Sequence, residues 1–419
     1  MRKRFTVLAA IAAGTALTAA CSSSAKKTAT SATTAGGSAT TAAAASQYPP
    51  IPPGPIKFGI STPLTGAQAA FGQTTAQSFN NITLKAFNAL HPDGIDGHPV
   101  MYEVLDDASD VTKAVSVVNQ FVADKLAGVI TVSYNPAATE QQLAILNKAK
   151  MPVIANLEGS KYVDTGAWPY DFGVNASIPQ EGQVAAQYIG AHNFKKVAVI
   201  TDGIQGAIEQ LNAILDAMKT AAPQAAVVKT VTITPGSTDD STAVAQLKAS
   251  NPDVLINLVS YAYAPLWQAM QVAQWSPVIL STAGAWYDSF DGMGPLVNKA
   301  VSFYNACADS AGQTWPADVA SLMSQYNKAT GGLSTNYMTY VISDSIPLEL
   351  FKVAIEKYHS IDPNAIKKAL EGVNQSFFGA QFTITPTNHF GLTGQYGAAV
   401  CNMGPPYAGG DAKVPVKAP

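Results

Sequence analysis

The residues of this 419-residue chain that could do covalent, acid–base or metal chemistry are few, and their placement does not suit it. There are five histidines and three cysteines. His91 and His98 flank a Pro/Gly turn and read as surface residues, while His192, His359 and His389 are scattered. No His/Cys spacing has the form of a metal site, and no cofactor is indicated. No Gly-x-Ser-x-Gly, His-Glu-x-x-His or phosphate-loop motif occurs. The adjacent carboxylates Asp106 and Asp107 look like a catalytic pair. They precede a helical pattern starting near Val111, where they are expected to cap the helix and complement its dipole. These residues give an enzyme reading little support.

Cys21 stands in a different context. Arg2, Lys3 and Arg4 form a positive start, Phe5–Leu17 is apolar, and Thr18-Ala19-Ala20 are small. Together they resemble a bacterial lipoprotein signal spanning residues 1–20, in which Cys21 receives lipid. The alternative is an ordinary secretory signal cut near Ala20. Either way the protein is expected outside the cytoplasm, and the lipid reading places it at the cell membrane. The apolar run is shorter than the ~20 residues a spanning helix needs. Ser22–Pro55 is nearly all Ala, Ser, Thr, Gly and Pro, too poor in large apolar residues to build a core. With Cys21 it is expected to form a disordered tether, with a reach of about 30 Å. In an oxidising compartment Cys307 and Cys401 would form a disulfide or stay as two buried thiols.

The formal charge is −3. The folded part has no dense Lys/Arg cluster, which argues against nucleic acid as a partner. Charged residues make up 13 % of the chain, against a typical ~25 %, so surface polarity must come largely from Ser, Thr, Asn and Gln.

From Ile56 onward, short β-branched runs alternate with helical patterns. Strands are expected at 56–61, 100–105, 128–132 and 152–155, with helices at 76–89, 111–124 and 137–150 between them. After an irregular stretch and a helix at 179–192, the rhythm resumes. Strands are expected at 196–201, 227–233, 253–258 and 277–281, and helices at 206–221, 238–250 and 265–273. Such alternation means parallel sheets with crossover helices, here twice over: an α/β protein of two lobes. The tail departs from it, with a strand at 301–306, helical patterns at 316–328, 335–359 and 363–371, and an antiparallel pair of 381–384 with 395–401.

At this point the chain resembles the type I periplasmic binding proteins of the branched-chain amino acid (Leu/Ile/Val-binding) class, the substrate-capturing lipoproteins of ABC importers. The resemblance rests on Ile56–Gly72 (IKFGISTPLTGAQAAFG), Asp93–Asp110 (DGIDGHPVMYEVLDDASD), Met151–Ala155, Phe172–Glu181 (FGVNASIPQE), Lys195–Asp202 and Asn251–Val254, in order over nearly all of Pro55–Met403. It implies two Rossmann-like lobes joined by several crossovers: residues 56–174 with 303–380, and 175–302 with 381–419. It implies a monomer that closes on a small molecule and docks on a membrane permease. A sensory lipoprotein using the same cleft is the alternative.

The resemblance also implies a site. Phe71 falls where the family packs an aromatic on the ligand. Ser133, Tyr134 and Asn135 form a turn that would meet a ligand carboxylate, although Asn135-Pro136 also has the form of a helix cap. Ser160 ends the fourth turn, where Glu158 would repel a ligand carboxylate. Gln205 stands near the family's second-lobe tyrosine, and Tyr261 or Tyr263 would line the cleft. Ala283 stands where amino-acid binders carry the glutamate that pairs with an ammonium, and Trp286 follows it. With that partner missing and Glu158 added, the ligand is expected not to be a simple zwitterionic amino acid. The aromatics suggest something flat, apolar or hydroxyl-bearing.

Overall fold

Residues 47–66, 69–133, 135–157, 159–234, 237–259, 264–281, 293–302, 324, 338–378, 380–393 and 401–402 are described by the computed structural model. The first lobe is wound around β1 (Ile56–Thr62), which pairs in parallel with β2 (Val100–Asp106) on one side and β3 (Gly128–Thr131) on the other. β4 (Val153–Ala155) and β5 (Asp171–Gly173) complete the order β2-β1-β3-β4-β5. The crossovers are helical. α1 (Ala69–Ser78) runs through a π-helical segment, Phe79–Thr83, into α2 (Leu84–Leu90). α3 (Val111–Ala123) and α4 (Pro136–Lys148) follow.

α3 forms because Asp110 caps it, accepting from Lys113 N at 2.9 Å, and because Ala114, Val117, Val118 and Phe121 make one apolar stripe. β3 and β4 are buried throughout, as strands covered by helices on both faces must be.

α5 (Ile178–Ala191) opens the second lobe. β6 (Lys196–Thr201), α6 (Gln205–Ala221), β7 (Ala226–Thr232), α7 (Ser241–Ala249), β8 (Val254–Leu258), α8 (Ala264–Val272), β9 (Val278–Ser281) and β10 (Ala300–Ser302) follow. The tail supplies α9 (Met338–Tyr358), α10 (Pro363–Leu370), β11 (Asn374–Phe377), β12 (Ala380–Thr383), β13 (Leu392–Thr393) and β14 (Cys401–Asn402). The second sheet reads β14-β10-β9-β8-β6-β7, parallel apart from β14. Its parallel part repeats the winding of the first.

Each sheet is buried between apolar layers. On one face of the first, Phe58, Ile130 and Phe172 pack against α9, with Phe58 and Phe351 rings 4.5 Å apart. On the other, Phe121, Val129, Leu143 and Phe390 meet. The second sheet is covered on one side by α5 and α6, and on the other by α7 and α8 around Trp267. The chain passes between lobes just after β5: Val174 lies in the first core and Ala176 in the second.

Three expectations are corrected. Among the described residues the tail hairpin pairs β12 with β11 and β13, and Cys401 pairs with Ser302 instead of with 381–384; 395–400 of the expected pair lie outside the described residues. Phe382, Ile384 and Leu392 lie in the first core, so 381–393 belongs with the first lobe and not the second; the apolar faces of this small sheet can be buried only against α9, α10 and their neighbours. The stretch Gln47–Pro55 is docked and not free. Tyr48 meets Tyr358 edge-on at 5.2 Å, Pro49 O accepts from Ser360 Oγ at 2.5 Å, and Ile51 packs on the first core. Two apolar side chains among stiff prolines are enough to hold it.

Candidate functional site

In open parallel sheets the crevice lies beyond the strand ends, where the winding reverses. In the first lobe that is the edge formed by Thr62, Thr131 and Ala155. Three loops meet there, and each is braced from below.

Asp106, the last residue of β2, holds the loop after β1. It accepts from Leu64 N at 2.8 Å, Thr65 N at 3.1 Å and Thr65 Oγ1 at 2.6 Å. Partial desolvation opposes ionisation, but these bonds and one from Ala108 N hold the carboxyl below its ordinary value. Gly72 lets α1 close on the same loop, since a Cβ there would sit 2.0 Å from Pro63 O. Asp107 accepts from Ser61 Oγ at 2.9 Å and Ser109 N at 2.8 Å. Burial pushes it up, partly offset by these donors and by Ser133. Contrary to the expectation from the sequence, neither aspartate caps α3; Asp110 does, because the two carboxylates are taken by partners from β1 and its loop.

Gln142 of α4 ties the turn after β3 to β1. Its Nε2 donates to Ser61 Oγ at 2.7 Å and Ala114 O at 3.0 Å, and its Oε1 accepts from Ser133 N at 2.7 Å. Ser133 is buried. Asn135 donates to Ser109 O at 2.8 Å and accepts from Ala137 N at 3.1 Å as the cap of α4. Both side chains are thus committed to shaping the turn. At the end of β4, Asn175 clasps Leu157 through N–H and C=O at 2.9 and 3.1 Å. Gly159 then turns with φ +128°, its Cα face against the Tyr162 ring.

Below this edge lies a cavity of about 10 Å³, lined by Phe79, Ile130, Thr131, Ala155, Asn156, Asp344 and Pro347. Asp344 is 7 % exposed and accepts one bond, from Ser78 Oγ at 3.2 Å. Desolvation raises its carboxyl to about 7, with the Ser78 bond opposing. Asn156 Oδ1 is buried and has no hydrogen-bond partner among the described residues. No sequence signal marks Gln142 or Asp344, which sit inside ordinary helical patterns.

In the second lobe, Thr201 Oγ1 accepts from Gly203 N at 3.0 Å, and Asn257 joins Ser281 Oγ at 2.9 Å and Val259 N at 3.2 Å. Gln205 opens α6, is exposed and donates to Glu209 Oε1 at 3.1 Å. Phe71 lies in α1 and Ser160 in a short 3₁₀ turn, while Cys401 lies in β14; their side chains, and Cys21, Tyr134, Glu158, Tyr261, Tyr263, Ala283, Trp286 and Cys307, fall outside the described residues. Among the described residues there is no cluster of three or more metal-ligating side chains, and no helix long and apolar enough to cross a membrane.

This architecture recurs in solved structures. A Rhodopseudomonas palustris ABC-transporter solute binding protein in complex with benzoate superposes with TM-score 0.72 at 13 % identity, covering 87 % of this chain and 98 % of that one. Another from R. palustris, in complex with 4-hydroxybenzoate, gives 0.67 at 18 %, over 83 % and 91 %. An extracellular ligand-binding receptor from R. palustris HaA2 gives 0.69 at 20 %, over 84 % and 98 %. Among curated proteins, Leu/Ile/Val-binding protein homolog 1 of Brucella abortus (strain 2308) is 30 % identical over 34 % of this chain and 38 % of its own length. The BraC3 Leu/Ile/Val-binding protein of Rhizobium johnstonii is 26 % identical over 50 % and 55 %. The chain therefore spans about two-fifths to a little over half of the curated relatives it matches. A family model described as periplasmic binding protein matches residues 55–402, and with the parallel strands of both sheets wound in the same order, the chain belongs to the periplasmic binding protein family.

Proposed function

We propose that this protein captures a small organic solute in the crevice between its lobes, outside the cytoplasm, and delivers it to an ABC importer. The observation that carries the reading is the strand-end edge of the first lobe. Three loops there are braced by Asp106, Gln142 and Asn175, while the cavity beneath them is lined by Asp344, which accepts only from Ser78 among the described residues, and by Asn156, whose Oδ1 has no hydrogen-bond partner among them. Such polar bracing around an unfilled polar space suits a preformed binding half-site. The solute is a small aromatic acid or a hydroxyl-bearing relative of one, and not a simple zwitterionic amino acid. The absence of a glutamate at Ala283 supports this, as do the benzoate and 4-hydroxybenzoate named for two structural neighbours. Phe71, Tyr134, Tyr261, Tyr263 and Trp286 are proposed to line the crevice.

Lipid on Cys21 and the tether after it would hold the protein to the membrane. The docked stretch Gln47–Pro55 meets the chain at Ser360 and Tyr358 and leads into the start of β1, the edge opposite the loops. A tether entering there leaves the crevice free to face a permease. Calorimetric titration with leucine, isoleucine, valine, benzoate and 4-hydroxybenzoate tests the ligand class. Micromolar binding of benzoate or 4-hydroxybenzoate is expected; micromolar binding of a branched-chain amino acid would overturn it. Cys21→Ala should release the protein from membranes, and retention would defeat the anchor.

A further inference from the structure

Two helices of the first lobe lose their regular hydrogen bonding at the same place. The α1–α2 helix widens into its π segment at Phe79–Thr83. α9 carries Pro347 in its interior, which removes one backbone donor and disturbs the turn before it. Both irregularities line the same cavity, through Phe79 and Pro347, together with Thr131 and Asn156 from the ends of β3 and β4. π segments often mark functional sites because they re-aim side chains at some cost in helix stability. Ser78, the last residue of α1 before the π segment, reaches Asp344 at 3.2 Å.

Resting on the solute-capture reading above, we propose that this cavity is a specificity subsite that receives one hydrogen-bond-donating group of the solute, a hydroxyl or an amine, with Asp344 as its acceptor. Asp344 is more than nine-tenths buried and lines the cavity, yet it accepts only the Ser78 bond among the described residues. The Asn156 amide oxygen beside it has no hydrogen-bond partner among the described residues. The cavity holds about one water-sized group, so it admits a single substituent and not a ring. The elements packed around it bring Ser78, Thr83, Tyr102, Thr131 and Asn156. Of these only Tyr102 titrates, and burial keeps it neutral; no described lysine, arginine or histidine acts on Asp344. A buried carboxyl with no cation of its own is costly unless something supplies the missing donor.

The carboxyl's raised value carries a sign. A group whose folded value lies above its unfolded one stabilises the fold while both states hold the proton, and that stability falls as pH rises from about 4 to about 7. A residue kept for binding should therefore weaken the empty protein at alkaline pH. The experiment titrates wild type and Asp344→Asn with benzoate, 4-hydroxybenzoate and 4-(aminomethyl)benzoate, and melts both empty proteins at pH 5 and 8. Expected is at least tenfold tighter binding of a donor-bearing probe than of benzoate by wild type, falling below about threefold in the variant. The empty variant should melt at least about 3 °C above wild type at pH 8, and the gap should narrow to roughly a third of that at pH 5. Proton release on binding at pH 7, read from the buffer dependence of the enthalpy, identifies an amine; none identifies a hydroxyl. Equal binding of all three probes by wild type, unchanged discrimination in the variant, or a variant less stable at pH 8 overturns the subsite. If none of the three binds at millimolar concentration, the aromatic-acid reading itself fails and the subsite falls with it.

Discussion

β2-β1-β3-β4-β5 and β7-β6-β8-β9-β10 follow one winding, so backbone topology offers a crevice at the same place in each lobe. Charge is handled differently in the two. In the first lobe Glu103, Asp107, Asp171, Asp344 and Glu349 all have carboxyls pushed up, with burial the leading cause each time. In the second, Asp239 and Asp253 are held down, chiefly by backbone N–H donors at exposed turns. Asp106 is the first lobe's exception, and it braces a loop. The comparison teaches that the fold supplies position while the polar load supplies function. Both lobes bury acids, Glu181, Asp202 and Asp240 in the second among them, but it is in the first that burial pushes carboxyls up and the fold gives up stability to keep them.

The largest effects test whether the lobes are separate bodies at all. Phe351→Ala removes the ring against Phe58 and should cost about 3–5 kcal/mol. Trp267→Ala in the second core should cost a similar amount. Hydrogen exchange should show each variant losing protection in its own lobe. Loss spread evenly over both would break the comparison, because the lobes would then unfold as one unit.

Next comes the bracing. Gln142→Ala strips the buried Ser133 N–H of its side-chain acceptor and Ser61 Oγ of the donor it accepts from, while Ser61 still donates to Asp107. Leaving a buried donor unmade costs about 1–3 kcal/mol, so denaturant midpoints should fall by that much and solute affinity with them. Unchanged affinity at lowered stability would mean that the turn after β3 does not touch the solute.

How much of this could be read beforehand follows from the range of the interactions. β1, β3 and β6 were legible because β-branched runs bounded by turn residues are local signals. α3 was legible too, and its buried face is Ala114, Val117, Val118 and Phe121. The π segment was not, since nothing in Phe79–Thr83 announces an extra residue per turn. β11 was missed because Asn-Gln-Ser-Phe has little strand propensity and pairs only because β12 lies beside it. Asp106 and Asp107 were misassigned by a local rule, helix capping, when their partners lie more than 40 residues away. Ser78 and Asp344 are 266 residues apart, and no periodicity carries such a pair.

A pH series sharpens the contrast between lobes. Asp171 is raised well above its ordinary value by burial, although Asn147 donates to one oxygen at 2.7 Å; the other oxygen is buried without a partner. Stability from such an acid is lost as pH climbs from the unfolded value of about 3.9 towards the folded one. Asp171→Asn should leave stability unchanged near pH 4 and raise it by about 1–3 kcal/mol at pH 8, by thermal melting. His389, depressed by burial, works the other way: its contribution is lost as pH falls below about 6.5. The first lobe should therefore be most stable on the acid side of neutrality, with a limit set by His389. A first lobe that strengthens steadily up to pH 8 would contradict the burial of these acids.

The smallest effect compares two aspartates at matching helix starts. Asp110 has extended backbone geometry (φ −106°, ψ 131°), which aims its carboxylate at Lys113 N. Asp240 precedes α7 with φ −108° and ψ 16°, makes no side-chain cap, and has one buried oxygen without a hydrogen bond. Ψ decides the outcome: rotating it by roughly a third of a turn swings the carboxylate away from the first-turn amides. Asp110→Ala should then cost about 1 kcal/mol, the usual worth of a working cap, while Asp240→Ala should be neutral or slightly stabilising because it removes an unsatisfied group. Urea denaturation resolves the difference. An equal loss at both positions would mean that Asp240 finds a partner in solution, and the second lobe would then brace its helix starts as the first does.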